Sequence, residues 1–229
     1  MTLTHDGAPA VLPASLSAAM RDGSRAEHEA AEGSAFMTEL LEARLPASGY
    51  AEYLLRLRVV YATLEDAVRR HAGDPLVAAV HDPALERLAA LDADLAHWAP
   101  GRAHDDLDSP AAEAYRAHLD DAARRAAGGW GGGLVAHHYT RYLGDLSGGQ
   151  AIGRILERGY DTHGAGVAFY AFDAVPKPKP YKDAYRARLD ALALDAQAVA
   201  AVVDDVRAVF GLNQALFAEL GERLGTYPR

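Results

Sequence analysis

Tyr139-Thr140-Arg141-Tyr142-Leu143-Gly144-Asp145-Leu146-Ser147-Gly148-Gly149-Gln150 is the stretch on which the reading of this chain turns. Its flanks, Leu134 to Leu143 and Ala151 to Leu156, have helical periodicity, yet three of the six positions from Gly144 to Gly149 are glycine. Each glycine inside a helix costs about 1 kcal/mol against alanine, so a continuous helix here carries roughly 3 kcal/mol of local disadvantage. Two readings stay open. Either a loop joins two short helices, or one helix runs through, kinked or with its backbone close to something flat and large. Asp145 follows Arg141 by four residues, so on a helix the two share one face and one polar network.

Outward from this stretch the periodicity is helical almost throughout. Tyr50, Tyr53, Leu54, Leu57, Tyr61, Leu64 and Val68 recur at three- and four-residue steps and predict one long amphipathic helix. Leu85, Leu88, Leu91, Leu95 and Trp98 predict another, opened by Pro83. Ser109 and Pro110 have the chemistry of an N-cap and first helical residue for a segment reaching Ala127. The last helix, capped by Asp195, is lined by Val199, Val202, Val206, Phe210, Phe217, Leu220 and Leu224. Gly128 to Gly133 reads as a loop, and Pro176, Pro178 and Pro180 as an extended lead-in to a short helix over Tyr181 to Leu194. The expectation is one all-α domain of roughly eight helices over residues 13–225, with residues 1–12 loose.

Composition narrows the function. With 229 residues, half of them apolar, the chain can bury one good core. A net charge of −9 argues against a general nucleic-acid binder. The absence of cysteine removes disulfides, iron–sulfur clusters and thiolate ligation of haem. Neither a signal-peptide pattern nor an apolar run near 18 residues is present, so a cytoplasmic protein without a membrane anchor is expected.

Two further places break the pattern. Arg21, Arg25, His28 and Glu32 fall on one narrow stripe of an N-terminal helix. This is either a solvated face with an ordinary histidine, or a metal-ligating imidazole with Glu32 one turn on to fix its tautomer and two arginines for anionic groups. Asn213 sits on the apolar stripe of the last helix, where its amide needs either solvent at the stripe's edge or partners in a polar pocket. His137 and His138 are adjacent and point apart, so they read as structural.

Taken together, these segments resemble the haem oxygenases. Tyr142 to Gln150 is similar to that family's distal-helix motif. The segment Glu27 to Glu32, followed by Phe36-Met37, resembles the proximal helix, and Tyr61 to Glu65 the third-helix segment. Tyr181 to Arg186 resembles the propionate-binding segment, and Phe210 to Gln214 with Phe217 the last helix. The likeness runs from about residue 14 to 224. It implies an all-α fold with haem sandwiched between a proximal and a kinked distal helix. His28 would ligate the iron, with Glu32 behind it. Gly144, Gly148 and Gly149 would let the distal backbone approach the ring. Asp145, with Arg141, Tyr61 and Asn213, would hold a distal water network that delivers a proton to bound oxygen. Arg21, Arg25, Lys182, Arg186 and Tyr139 would bind the propionates, and Phe210 would pack on the porphyrin.

The activity so implied is cleavage of haem b, both cofactor and substrate, by O2 to biliverdin, carbon monoxide and ferrous iron. Basic residues at both Arg21 and Lys182/Arg186 imply the usual propionate orientation and the α-meso carbon. An external ferredoxin or flavin-dependent reductase would supply electrons, and a monomer is expected. Arginine at Arg21 and Arg25, where relatives commonly have lysine, keeps the charge but changes the geometry. A haem carrier or sensor that does not degrade its ligand is the main rival, but it has no need of Asp145 or a glycine-rich distal helix. A di-metal carboxylate bundle needs paired Glu-x-x-His motifs, to which only Asp94-Leu95-Ala96-His97 comes near. A purely structural helical module leaves Gly144 to Gly149 unexplained.

Overall fold

The chain begins, in the computed structural model, with three short helices: α1 (Leu16–Gly23), α2 (Arg25–Glu32) and α3 (Ala35–Leu41). The structure describes residues 15–102, 107–160 and 162–228, so the expected loose segment 1–12 lies outside the described residues. Next come α4 (Ala47–Arg70), α5 (Pro75–Val80), α6 (Leu88–Trp98), α7 (Pro110–Ala127) and α8 (Gly132–His138). Two π-helical turns, Tyr139–Leu143 and Asp145–Gly149, lead into α9 (Gln150–Tyr160), and α10 (Pro178–Asp190) and α11 (Ala196–Glu222) close the chain. All regular structure among the described residues is helical, as expected.

Four helices form the frame. The long helices α4 and α11 each pack on α7 and on α8, and α11 also covers α1, α2 and α3. Their relative position is pinned by a buried charge. Arg56 on α4 has no exposed surface and donates to Glu52 on its own helix at 2.8 Å and to Glu219 on α11 at 2.8 Å. The Ser109 hydroxyl donates to the same Glu219 at 2.6 Å while accepting from the Ala112 amide, so the cap of α7 is tied to the same carboxylate. A buried guanidinium with two carboxylates is tolerated because each charge is paired; losing one partner of such a pair costs on the order of 3–5 kcal/mol.

Several boundaries differ from the expectation, each for a local reason. There are eleven α-helices among the described residues rather than roughly eight. The N-terminal helix breaks at Ser24, whose hydroxyl donates back to the Met20 carbonyl at 2.8 Å and distorts the helix there. Gly23 at the break lets α1 close on α11, since a Cβ there would stand 2.6 Å from Val203. Pro83 opens only a 3₁₀ turn, Pro83–Leu85, and α6 starts later, at Leu88. There the buried Glu65 carboxylate accepts from the Arg87 and Leu88 amides. Gly132 and Gly133 belong to α8, not to the loop before it, and Pro178 and Pro180 lie in the first turn of α10, where a missing N–H costs nothing. That helix stops at Asp190, short of Leu194. The caps at Ser109 and Asp195 stand as expected.

His137 and His138 are both buried and both occupied within the fold. His138 Nδ1 lies 2.9 Å from the Tyr185 hydroxyl, and His137 Nε2 lies 2.9 Å from His118 Nδ1. Burial pushes the His138 pKa down from 6.5 to about 3, helped by His81 and Arg188 and opposed by Asp82. Its neutral form is favoured in the folded state, so its contribution to stability is complete above pH 6.5 and is lost as the pH falls from there towards about 3. Urea midpoints measured between pH 7.5 and 5 are expected to fall, and to fall less in His138→Gln. An equal fall in that variant would remove His138 from the account.

Candidate functional site

A cleft of about 450 Å³ opens between α2 and the π-helical stretch that follows α8. One wall carries His28, Glu32 and Arg25, with Arg21 and Ser24 at its end; the other carries Tyr139, Thr140, Leu143, Gly144, Ser147 and Gly148. Phe210 from α11 forms the floor, its ring edge-on to His28 with centroids 5.4 Å apart at 78°. An inner pocket of about 140 Å³ continues from it past Gly144 and Gly148 to Arg141, Asp145 and Asn213.

The π-helical stretch resolves the glycine question. The chain neither loops nor follows a regular α-helix, but runs through both turns with α-region dihedrals and wider hydrogen bonding. A Cβ built on Gly144 or Gly148 meets no atom within 4 Å, because both positions look into the cleft. Gly149 also lines the inner pocket, but a Cβ there would stand 2.8 Å from the Tyr170 ring. Tyr170 is itself fixed by the 3₁₀ turn Ala168–Tyr170, whose Ala168 and Phe169 amides donate to the buried Asp94 carboxylate at 2.8 Å. Asp94, the near miss for a di-metal motif, is therefore a cap, and no group of three or more potential metal ligands occurs among the described residues.

Gly148→Leu is expected to keep or slightly raise the melting temperature, since it removes about 1 kcal/mol of helix disadvantage, while filling the cleft and abolishing binding there. Gly149→Leu presses on Tyr170 and is expected to lose about 1–3 kcal/mol of stability. Thermal melts of both variants check this, and a destabilised Gly148→Leu would contradict the open placement.

Asp145, Arg141, Tyr61 and Asn213 come together in one cluster, of which helical spacing predicts only the Arg141–Asp145 pair. The Tyr61 hydroxyl donates to Asp145 Oδ2 and accepts from Arg141 Nε at 3.2 Å. Arg141 Nη1 donates to Asn213 Oδ1 at 3.0 Å, and Arg141 Nη2 stands 3.6 Å from Asp145 Oδ1. All four are buried. Burial pushes the Asp145 carboxyl above its ordinary value, against the opposing pull of Arg141 and of the Tyr61 hydroxyl. A carboxyl raised in this way, at the rim of an inner pocket, is suited to exchange protons with water there.

At the proximal wall His28 is the only histidine lining the cleft among the described residues, and its side chain is 48% exposed. Glu32 Oε1 stands 3.6 Å from His28 Nε2, longer than a direct hydrogen bond. The basic end of the cleft is assembled from three elements. Arg21 and Arg25 both donate to Asp22, a partner the sequence reading did not place, and Arg186 comes in from α10 next to Tyr139. Lys182 does not line the cleft; it donates to the Ser147 hydroxyl at its edge at 2.9 Å. Sequence reasoning missed Thr140 and Ser147, which share faces of the quoted stretch with Gly144 and Gly148. It also missed Tyr53, which is indistinguishable from core by periodicity, and Tyr170, which enters through a loop fold no local pattern signals.

The residues fit a large, flat, dianionic ligand with a metal at its centre. One imidazole shares the cleft with the open glycines Gly144 and Gly148, an aromatic ring lies beside it, and cations gather at one end. Comparison with known proteins agrees with this. The family model described as "Heme oxygenase" matches residues 14–219. Heme oxygenase 1 of Homo sapiens is 33% identical over 220 residues, covering 94% of this chain and 75% of the human protein. Heme oxygenase 1 of Nostoc sp. is 33% identical over 203 residues, with 88% and 84% covered. The fold is similar to the crystal structure of heme oxygenase-1 from the cyanobacterium Synechocystis sp. in complex with heme, with a TM-score of 0.86, 30% identity, and 93% and 95% of the two chains covered. It is similar also to heme oxygenase from Leptospira interrogans, with a TM-score of 0.84, 31% identity, and 90% and 99% covered.

Proposed function

The chain belongs to the haem oxygenase family and is a haem-degrading enzyme, and we propose that it opens haem b at the α-meso carbon, giving biliverdin, carbon monoxide and ferrous iron. The observation that carries this is the placing of the Arg141–Asp145–Tyr61–Asn213 cluster behind two glycines that face His28 across the cleft. A protein that only carried haem would not need a buried proton-exchanging group there.

When bound, haem supplies the iron at which O2 is reduced and is also the ring that is oxidised. His28 would hold the iron, and Glu32, one turn on with its Oε1 3.6 Å from His28 Nε2, would help to orient the imidazole. Gly144 and Gly148 would let bare backbone come against the haem, since no atom stands within 4 Å of where their Cβ would be. Asp145, whose carboxyl is raised by burial, would order water in the inner pocket and hold a proton at its carboxyl oxygen. Arg141 and Tyr61 fix the carboxyl, and Asn213 fixes Arg141. Arg21, Arg25, Arg186 and Tyr139 take the propionates, with Lys182 joining from the rim; this sets the rotation of the ring and supports the α-meso assignment. Phe210 packs against the ring.

The same basic end, on a chain of net charge −9, is a suitable docking point for a ferredoxin or flavin-dependent reductase as electron donor. The enzyme works as a cytoplasmic monomer whose functional domain is residues 13–225. No helix among the described residues is long and apolar enough to cross a membrane.

The test is a visible spectrum of the protein with one equivalent of haemin, then with a reductant, air and catalase. A histidine-type Soret band that decays into biliverdin absorption, with the α isomer recovered by chromatography, is the expected result. A Soret band that persists would make the protein a carrier or sensor, and a different isomer would overturn the propionate assignment.

A further inference from the structure

Tyr53 lines the inner pocket and begins a line of oxidisable rings that leads away from it. Its centroid is 6.4 Å from that of Tyr50, which is 5.0 Å from Trp98, which is 5.3 Å from Tyr160. Tyr50 is fully buried. Trp98 is half-buried and reaches a groove of about 320 Å³ on the protein surface, flanked by Arg102 and Arg223. The other ring contacts end among buried residues. Tyr53 also touches Phe36 and Phe217, and Tyr61 touches Phe169 and Tyr142, from which His138 leads on only to the buried Tyr185. Phenylalanine and imidazole hold their electrons far more tightly than phenol or indole.

We propose that Tyr53, Tyr50 and Trp98 form an electron relay that drains oxidising equivalents from the cleft to the surface groove when hydrogen peroxide reacts at the haem. The relay rests on the haem reading of the site. One peroxide gains two electrons and two protons, its O–O bond breaks, and two waters result. The protons come from solvent through the cleft. The electrons come singly along the relay, each leaving Trp98 oxidised by one electron until a one-electron donor such as ascorbate refills it from the groove. Two ascorbates are consumed per peroxide. The buried Tyr50 hydroxyl has only another phenol, Tyr170, beside it and no carboxylate or imidazole bonded to it, so no base there takes its proton and it serves as a bridge rather than a resting place. Trp98 can carry the deficit without losing its proton, and its indole N–H is steadied by the Gly166 carbonyl at 2.7 Å.

The experiment treats haem-loaded protein with hydrogen peroxide in the absence of reductant and maps oxygen addition by peptide mass spectrometry, with freeze-quench electron paramagnetic resonance in parallel. Expected are a protein radical and oxidation concentrated at Trp98, both suppressed by ascorbate. Tyr50→Phe, which removes one desolvated hydroxyl that has at most the Tyr170 phenol beside it and so is expected to fold normally, lowers the Trp98 mark several-fold and moves damage to cleft residues such as Met37 and Tyr53. Undiminished Trp98 oxidation in Tyr50→Phe, or haem-loaded protein in which Trp98 stays unmarked, overturns the relay. Failure to form a haem spectrum at all overturns the haem reading, and the relay with it.

Discussion

His28→Ala is expected to abolish haem turnover while leaving the fold intact. The side chain is half-exposed on the short helix α2, its polar neighbour Glu32 stands 3.6 Å away, and its ring contact is the edge of Phe210. Little of the core depends on it. No second histidine lines the cleft among the described residues, so nothing can take its place on the iron. Loss of a partner one bond removed from a metal already costs roughly 10–100-fold in affinity or activity, and loss of the ligand itself is expected to exceed that. The measurement is turnover with and without added imidazole, alongside the Soret spectrum. Rescue by imidazole would locate the defect in ligation. Unchanged turnover without imidazole would remove His28 from the mechanism.

Asp145→Ala is expected to bind haem nearly as well as the parent and to degrade it about 10²–10⁴-fold more slowly, the range general acid–base groups contribute. The separation of binding from chemistry comes from geometry: Asp145 lines the inner pocket and not the main cleft between His28 and Arg186. Arg141 keeps Tyr61 and Asn213 as partners in the variant, so the pocket keeps its shape while losing its acid. Asp145→Asn is the finer probe, since an amide can still accept from Tyr61 but cannot pass on a proton. With burial raising the carboxyl pKa, the wild-type rate should fall as the pH rises through that raised value and the proton is lost, and both variants should lose this dependence. Normal biliverdin yield from Asp145→Ala would sink the assignment.

The long helices were legible because their patterns are strong and their caps chemical. Ser109 with Pro110, and Asp195, start α7 and α11 where the sequence says they should. The distal cluster was legible because Arg141 and Asp145 are one helical turn apart, while its links to Tyr61 and Asn213 came only through resemblance. What could not be read depends on contacts between segments. The break at Ser24 follows from a hydroxyl turning back on Met20 and a glycine pressed against Val203. Gly149 and Gly148 are chemically identical neighbours, yet one faces Tyr170 and the other open space. No single-chain pattern separates them, because the difference lies in what the loop carrying Tyr170 does.

The division of the proximal wall at Ser24 has a consequence for how the two sides of the cleft hold their shape over time. Helices of eight residues, such as α1 and α2, are too short to persist unaided in water. Their order is borrowed from α11, through contacts such as the Gln214 amide on the Glu27 carbonyl. The opposite wall, by contrast, is continuous with α8 in the centre of the frame. Amide protons of α2 should therefore exchange with deuterium through local opening, well before those of α4 or α11. The jaw bearing His28 can thus unfold briefly as a unit and close again, admitting a rigid planar guest without disturbing the rest of the molecule.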